Sequence, residues 1–206
     1  TTPTRYAPHG LVLGKRVALG NVEAYRTGAF EVQDESSQRF VEAIPDLAPG
    51  VEVLDLCAGA GGKSLAMAAR GARVRAWDVR SKILGELRRR ARRAGADITV
   101  MPPEPADVVV IDSPCSGTGR LRREPALRWG LEPLARVTLQ KELIEDAACL
   151  VRNGGILAYA TCSLVQAEND HGPPGEGDWS ELDRQRLWPH REGCDGFGWV
   201  IWRRTL

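Results

Sequence analysis

The sequence lacks long hydrophobic runs and has few lysines. No apolar run approaches the ~18 residues that cross a bilayer, so we expect neither a transmembrane helix nor a membrane partner. Residues 1–10 show no charged region followed by an apolar one, so they do not resemble a secretion signal. The five cysteines are an odd number, which together with the missing signal indicates free thiols in a reducing, cytoplasmic compartment.

The cysteines also lack the spacing of a metal site. No two of them form a CxxC pair, and only His190 lies loosely near one, Cys194. Zinc sites need closely spaced Cys and His ligands, so we expect no metal.

Positive charge is carried almost entirely by arginine. Only four of the 28 basic residues are lysines, and the net charge is only +1. No global field therefore attracts nucleic acid, but arginine suits phosphate and stacks on bases. Arginines cluster at residues 87–95, 119–124 and 202–204. The first cluster is typical of a solvated helix face.

Apolar segments with β-branched residues alternate with helical ones through the middle of the chain. The pattern predicts strands at 51–57, 72–78, 97–100, 106–112, 155–161, 186–189 and 198–204. It predicts helices at 62–70, at 81–95 with Ser81 as N-cap, and at 133–151 with closure by Asn153-Gly154-Gly155. Residues 1–45 are more polar and predict an N-terminal cap and lead-in helix, before a catalytic domain at 46–206. We expect a monomer.

Repeated β-α-β units predict an α/β fold with a doubly wound, mostly parallel sheet and a late antiparallel strand. Ligands of such sheets bind beyond the carboxyl ends of the strands. The glycine cluster after the first of these strands, Asp78, residues 112–115 and residues 161–163 would all lie on that edge.

The segment LDLCAGAGGKS (54–64) is compatible with three ligands. A Walker A loop requires glycine where Cys57 stands. The dinucleotide pattern GxGxxG is imperfect, because Ser64 follows Gly59 and Gly61. S-adenosylmethionine has no pyrophosphate and needs less of this pattern, but it needs a carboxylate for its ribose, and Asp78 stands at the end of the second predicted strand.

Two cysteines follow neighbouring predicted strands. Cys115 lies three residues beyond one and Cys162 one residue beyond the next, and adjacent strands lie about 4.8 Å apart. The two thiols would therefore converge beside the cofactor pocket. A thiolate that adds to C6 of cytosine makes C5 nucleophilic, which would let a methyl donor react there. A carboxylate such as Asp112 could bind the base and stabilise the charge that develops.

The chain resembles the RNA (cytosine-5) methyltransferase family, which includes the bacterial Sun/Fmu 16S rRNA enzymes and the eukaryotic Nol1/Nop2 proteins. The matching segments are GAFEVQDESSQ (28–38), LDLCAGAGGKS (54–64), VVVIDSPCSGTGRLRREPALRW (108–129), ILAYATCSL (156–164) and LWPHREGCDGFGW (187–199).

This resemblance implies a class I, Rossmann-like, S-adenosylmethionine-dependent enzyme that makes 5-methylcytosine in RNA, most of all in 16S rRNA. It implies that Cys162 attacks the base, that Cys115 assists product release, and that Asp112 lies between cofactor and base. The implied cofactor-binding residues are Cys57, Ala58, Gly59, Ala60, Gly61, Gly62, Lys63, Asp78 and Asp112. RNA contact is expected from Arg120, Arg122, Arg123 and Trp129.

The chain departs from the family pattern at a few positions. Ala60 stands where proline is usual and Ser64 where threonine is, and residues 101–105 read MPPEP where an acidic residue near adenine is common. Three alternatives stay open. The chain could methylate tRNA, it could methylate a small molecule or a protein, or it could be a non-catalytic RNA-binding or assembly factor on the same fold.

Overall fold

The computed structural model describes residues 1–14 and 17–205. Its strands are β1 Thr2–Pro3, β2 Leu11–Val12, β3 Glu52–Asp55, β4 Arg73–Ala76, β5 Ile98–Val100, β6 Ala106–Asp112, β7 Val151–Thr161, β8 Trp179–Leu187 and β9 Phe197–Arg204. Its helices are α1 Glu23–Arg26, α2 Glu35–Ala43, α3 Gly62–Ala69, α4 Ile83–Ala94, α5 Val137–Ala148 and α6 Pro189–Glu192.

Strands β3 to β9 form one sheet in the order β5-β4-β3-β6-β7-β9-β8. The five strands from β5 to β7 in this order are parallel, while β9 runs antiparallel to both of its neighbours. The chain crosses the sheet from β3 outward to β5 and then returns to β6 beside β3. This topology confirms the predicted Rossmann-like, doubly wound sheet with a late antiparallel strand.

The sheet is covered on both faces, as the nearly continuous apolar run of β6 predicts. Successive residues of a strand point to opposite faces, and the core divides accordingly. Val108 and Val110 pack with α2 and α3, in the cluster that contains Phe40. Val109 and Ile111 pack with α5 on the other face.

Helix α2 ties the N-terminal region to this core. Asp34 caps the helix, because its carboxylate accepts a hydrogen bond of 3.0 Å from the backbone N–H of Ser36. Phe40 and Ile44 are fully buried in the cluster with α3 and the central strands. The predicted lead-in helix therefore exists, while the proposed domain boundary at residues 45 and 46 stays a prediction.

The prediction for the helix at 133–151 was wrong at both ends. Helix α5 covers only Val137–Ala148, and Val151 already pairs with Ala106 of β6. Asn153-Gly154-Gly155 does not close the helix but forms a bulge within β7, where Gly154 has φ +75°. These turn-forming residues therefore form the β-bulge and do not end the helix.

Two further local predictions were wrong. The late strand expected at 186–189 is β8, which covers Trp179–Leu187, while Pro189 begins α6. Its polar sequence hid it, because β8 is the edge strand and exposes many of its side chains. Ser81 does not cap α4; Lys82 precedes the helix, and no side chain caps its first turn.

The loops after β6 and β7 approach each other at Gly119. Its N–H donates to the carbonyl of Cys162 at 3.0 Å, and its carbonyl accepts from Gly196 N–H at 2.9 Å. A Cβ atom added at Gly119 would lie 1.8 Å from the Gly196 carbonyl oxygen. Only glycine therefore allows the backbone of these loops to approach so closely.

We predict that Gly119→Ala lowers the free energy of unfolding by about 2 kcal/mol or more, because the added methyl group must push backbone apart. The matched control is Gly130→Ala, whose added Cβ meets nothing within 4 Å and should change stability by less than about 0.5 kcal/mol. Chemical denaturation measures both. Equal stability of the two variants would contradict the close approach.

Candidate active site

The carboxyl ends of β3, β4, β6 and β7 lie along one edge of the sheet. They are followed by the glycine-rich loop at residues 57–62, by Asp78, by residues 112–118 and by Thr161–Ser163. The site residues proposed from the sequence therefore share this edge.

The loop from Cys57 to Gly62 needs its glycines. Gly59 and Gly61 have φ of +54° and +83°, a left-handed conformation that other residues rarely adopt. A Cβ atom on Gly61 would also lie 2.7 Å from Leu87 Cγ in α4. The loop therefore stays close to α4, with the N-terminus of α3 at the sheet edge. Ala60, which replaces the usual proline, accepts a hydrogen bond from Arg90 at 2.8 Å.

Asp78 is a buried carboxylate beside this loop. It accepts hydrogen bonds of 2.9 Å from Gly59 N–H and from Arg80 Nε–H. Burial works to raise the pKa of Asp78, but the hydrogen bonds from Arg80 and Gly59 outweigh it and hold the pKa below its usual value. The side chain of Arg80 is 66% exposed, so its guanidinium can move aside for a ligand that binds Asp78.

Asp55, at the end of β3, is a site residue that the sequence did not single out. It is 1% exposed and accepts a 2.6 Å hydrogen bond from Ser64 Oγ. Its other oxygen, Oδ1, is buried without a hydrogen-bond partner. Burial raises the pKa of Asp55 to about 7. In the sequence, Asp55 is one acid within an apolar strand, and nothing nearby indicates a function for it. Its position beside the loop is seen only in the tertiary structure.

These groups fit S-adenosylmethionine. The Asp78 carboxylate can accept hydrogen bonds from hydroxyl groups such as those of ribose, and the free oxygen of Asp55 can accept one from an amino group. Gln33 Nε2 is a second buried atom without a partner, and it lies 3.9 Å from where a Cβ on Gly62 would stand. It can donate to a carboxylate. A nucleoside with an amino-acid tail supplies all three partners.

Lys63 and Asp112 form an ion pair that joins the glycine loop to the end of β6. Lys63 Nζ lies 2.6 Å from Asp112 Oδ2, and the two side chains are 10% and 35% exposed. Lys63 Nζ also lies 5.1 Å from the centre of the Phe197 ring. The partly open Asp112 thus lies between the loop and the thiols, with one oxygen held by Lys63.

The structure brings Cys115 and Cys162 together. Their sulfur atoms lie 3.5 Å apart, within hydrogen-bond distance, and both are free thiols. The parallel register of β6 and β7 causes this, because Asp112 pairs with Ala160 and both chains leave the sheet side by side. The two cysteines are 47 positions apart in the sequence, so their contact depends on the pairing of the strands and not on a local motif.

The two sulfurs differ in their environment. The hydrogen bond to Cys162 and burial raise the pKa of Cys115 far above its usual range. The same hydrogen bond lowers the pKa of Cys162 and outweighs both its burial and the negative charge of Asp112, and the charges of Arg120 and Lys63 add to the lowering. Cys162 is therefore the sulfur that more readily becomes a thiolate.

Cys57 is not a comparable nucleophile. Burial, followed by the negative charges of Asp55, Asp112 and Asp78, raises its pKa to about 12. It stays a thiol at neutral pH and belongs to the wall of the glycine loop.

A basic and aromatic segment leaves the site after Gly119. Trp129 is 80% exposed, and the guanidinium of Arg128 lies 4.3 Å from the centre of its ring. The side chains of Arg120, Arg122 and Arg123 are 38%, 48% and 43% exposed. We call residues 120–129 the flanking segment. A cavity of about 600 Å³ opens along it, lined by Arg123, Glu124, Pro125, Ala126, Leu127 and Gly130.

In the flanking segment Arg123 binds Asp195 at 2.7 Å and Arg122 lies 3.6 Å from the same carboxylate. The arginine cluster of α4 is also largely paired. Arg90 and Arg93 both bind Glu31, and Arg89 binds Glu86 at 2.6 Å. This pairing agrees with a structural role for the cluster.

Among residues 1–14 and 17–205, no three His, Cys, Asp or Glu side chains gather as a metal site. None of the helices in this part of the chain is both long and apolar enough to cross a membrane.

Comparison with known proteins identifies relatives. The family model described as 16S rRNA methyltransferase RsmB/F matches residues 44–172. Ribosomal RNA small subunit methyltransferase B of Thermus thermophilus is 38% identical over 141 residues, which are 64% of this chain and 35% of that protein. The protein of the same name from Xylella fastidiosa is 32% identical over 227 residues, covering 95% and 52%. The chain thus spans about half or less of the length of these relatives.

A solved structure supports the fold. NSun6 from Pyrococcus horikoshii, whose structure was determined with SFG, superposes with a TM-score of 0.73 at 23% identity. The match covers 93% of this chain and 57% of that one.

We predict that Asp55 makes stability depend on pH. Its folded pKa of about 7 lies above the ordinary 3.8, so the folded state binds the proton more tightly and stability falls as pH rises from about 4 to about 7. In the unaltered chain the free energy of unfolding should fall by about 2–4 kcal/mol over that range. Asp55→Asn should not show this fall, and it should be the more stable chain at pH 8.

Urea denaturation at several pH values measures this difference. Ser64→Ala is the matched control, because it keeps the buried acid and removes a hydrogen bond that lowers the pKa of Asp55, so the pH dependence should persist and grow. Parallel stability curves for Asp55→Asn and the unaltered chain would contradict the assignment.

Proposed function

The chain belongs to the 16S rRNA methyltransferase RsmB/F family, and we propose that it transfers a methyl group from S-adenosylmethionine to C5 of a cytosine in RNA, with 16S rRNA as the substrate. The observation that carries the proposal is the 3.5 Å contact between the sulfurs of Cys115 and Cys162 at the cofactor edge. A methyltransferase acting on a nucleophilic oxygen or nitrogen would need no thiol, whereas carbon C5 of cytosine needs activation.

In the proposed reaction Cys162 acts as the nucleophile. Its sulfur adds to C6, which forms a C–S bond and shifts the electron pair of the C5–C6 double bond toward C5. Bound S-adenosylmethionine supplies an electrophilic methyl group. Once C5 carries the methyl group, a base takes the proton from C5 and the electron pair of that C–H bond restores the double bond. The bond between C6 and Cys162 breaks, and its electron pair returns to sulfur as a thiolate. Cys115 assists this release.

Asp112 and Lys63 orient the base. The Asp112 oxygen that is free of Lys63 can accept a hydrogen bond from the cytosine amino group, and the fixed pair stabilises charge that develops during addition. The proposed cofactor contacts are the loop Cys57, Ala58, Gly59, Ala60, Gly61, Gly62 and Lys63, with Asp78 for the ribose. Asp112 completes the set between cofactor and base.

The flanking segment is the proposed RNA contact. Its arginines suit phosphates, and an exposed tryptophan gives a base a surface on which to stack. It follows Gly119, which is hydrogen-bonded to the Cys162 carbonyl, so RNA bound there lies next to the thiols. The target base must leave its stack to reach them, which favours a single-stranded or loosened site. A ribosomal substrate implies action in the cytoplasm, and we propose a monomer.

We predict opposite effects of the two cysteine substitutions. Cys162→Ala should abolish methyl transfer while cofactor binding survives, because no sulfur attacks C6. Cys115→Ala should accumulate a covalent protein–RNA adduct, because release fails after attack. A denaturing gel with labelled 16S rRNA shows the adduct as a slow band. An adduct with Cys162→Ala alone would reverse the two roles, and transfer unaffected by either change would refute the mechanism.

We predict that Trp129→Ala weakens binding of a single-stranded RNA about tenfold, since stacking contributes about 1–3 kcal/mol per base. Arg89→Gln, which removes an exposed positive charge on α4, is the control and should leave the affinity within about twofold, because the α4 surface lies outside the proposed RNA contact. Fluorescence anisotropy measures both. A larger loss with Arg89→Gln would place the RNA on α4 instead.

A further inference from the structure

Glu168 is a fully buried acid behind the two thiols. It lies in a short 3₁₀ helix, Gln166–Glu168, that follows the Cys162 loop, and it is 0% exposed. Among the residues that the structure describes, no basic side chain lies within 4.0 Å of its carboxylate. A buried carboxylate is costly unless hydrogen bonds satisfy it, so its partners indicate what it does.

Its carboxylate joins the residues that follow the two cysteines. Ser116 donates to it twice, from its backbone N–H at 2.8 Å and from its hydroxyl at 2.6 Å. The hydroxyl of Ser163 donates to the same oxygen, Oε2. Because Ser116 follows Cys115 and Ser163 follows Cys162, one side chain holds both loops.

The surrounding hydrogen bonds fix the direction of these contacts. Ser163 Oγ accepts the N–H of Val165 at 2.9 Å, and Thr118 Oγ1 accepts the N–H of Leu164 at 2.8 Å. Each hydroxyl thus receives a backbone proton and has its own proton left to donate. Ser163 donates its proton to Glu168, as Ser116 does, whereas Thr118 Oγ1 lies 3.1 Å from Ser163 Oγ. A carboxylate favours this convergence of two hydroxyl donors.

Neighbouring elements hold Glu168 in place. Gln140 of α5 donates to the Pro114 carbonyl at 2.9 Å and approaches Glu168 Oε1 at 3.4 Å. The Tyr159 hydroxyl donates to the backbone carbonyl of Glu168 at 2.8 Å. Gln140 is itself 0% exposed. The carboxylate therefore has little freedom to turn away from the two loops.

The charge of Glu168 acts unequally on the two sulfurs. The hydrogen bond to Cys162 and burial are the main causes of the raised pKa of Cys115, and the Glu168 charge adds to them. Cys162 instead faces Asp112, whose charge raises its pKa, and Arg120 and Lys63, whose charges lower it. The charged and titratable groups around this site are Lys63, Asp112, Arg120, Tyr159, Glu168 and His171.

We propose that Glu168 is a positioning residue that holds the Cys115 and Cys162 loops in contact and keeps the proton between the two sulfurs on Cys115. Cys162 is thereby left as the attacking sulfur. The inference rests on the proposed function, which assigns attack to Cys162 and release to Cys115. The effect of Glu168 on the two thiols can nevertheless be tested without RNA or cofactor.

The test compares how fast iodoacetamide modifies each cysteine at pH 7, followed by mass spectrometry of the whole folded chain. In Glu168→Gln, which keeps the shape and removes the charge, the rate ratio of Cys115 to Cys162 should rise about tenfold, the effect of about one pKa unit. Glu168→Asp keeps the charge and should stay within about threefold of the unaltered chain.

Asp170→Asn is the matched control. It removes the same charge two residues away, where Asp170 is 42% exposed and paired with Arg186, and it should leave the ratio unchanged. An unchanged ratio in Glu168→Gln, or an equal shift in Asp170→Asn, would overturn the proposal.

Cys194 reports whether the variant folds, because it is 3% exposed and reacts only when the core opens. If Glu168→Gln fails this check, Ser116→Ala replaces it. That variant cuts one link to the Cys115 loop, and it should raise the same ratio about threefold; no change would overturn the proposal. Absence of RNA methylation by the unaltered chain would contradict the proposed function instead, without affecting the ratio.

Discussion

The site depends on the parallel pairing of β6 with β7. Asp112 pairs with Ala160 at the end of the ladder, and the two chains leave the sheet together as loops that carry Cys115 and Cys162. A shift of register would separate the sulfurs from their 3.5 Å contact and turn alternate side chains to the other face. The close packing of Gly119 against Gly196 then holds the loops where the strands release them.

Charge placement gives this geometry its chemical direction. The hydrogen bond with Cys115, and after it the charges of Arg120 and Lys63, lower the pKa of Cys162 against the charge of Asp112, while the charge of Glu168 adds to the raised pKa of Cys115. Acids beside the glycine loop differ in the same way. Asp78 is held as a carboxylate by Arg80, while burial favours the protonated form of Asp55. Neighbouring side chains of one type thus acquire different roles from their surroundings.

The sequence predicted the sheet and much of its ligand edge because these follow local patterns. The apolar run of β6 and the glycines before α3 are such patterns. The prediction misplaced β8, because this edge strand is exposed and has few apolar residues. It also assigned Gly154-Gly155 to a helix end. It missed Asp55 and Glu168, because their partners come from distant parts of the chain. The roles of such residues depend on tertiary contacts, and no local sequence pattern indicates them.

Release of tritium from RNA labelled at C5 of cytosine tests the central claim most directly. Methyl transfer to C5 must expel the hydrogen at that carbon, whereas methylation of a nitrogen, an oxygen or the ribose leaves it in place. The account predicts that 16S rRNA carrying [5-³H]cytosine loses one tritium to water for each methyl group gained, and only when S-adenosylmethionine is present. Methyl incorporation without tritium release would contradict it.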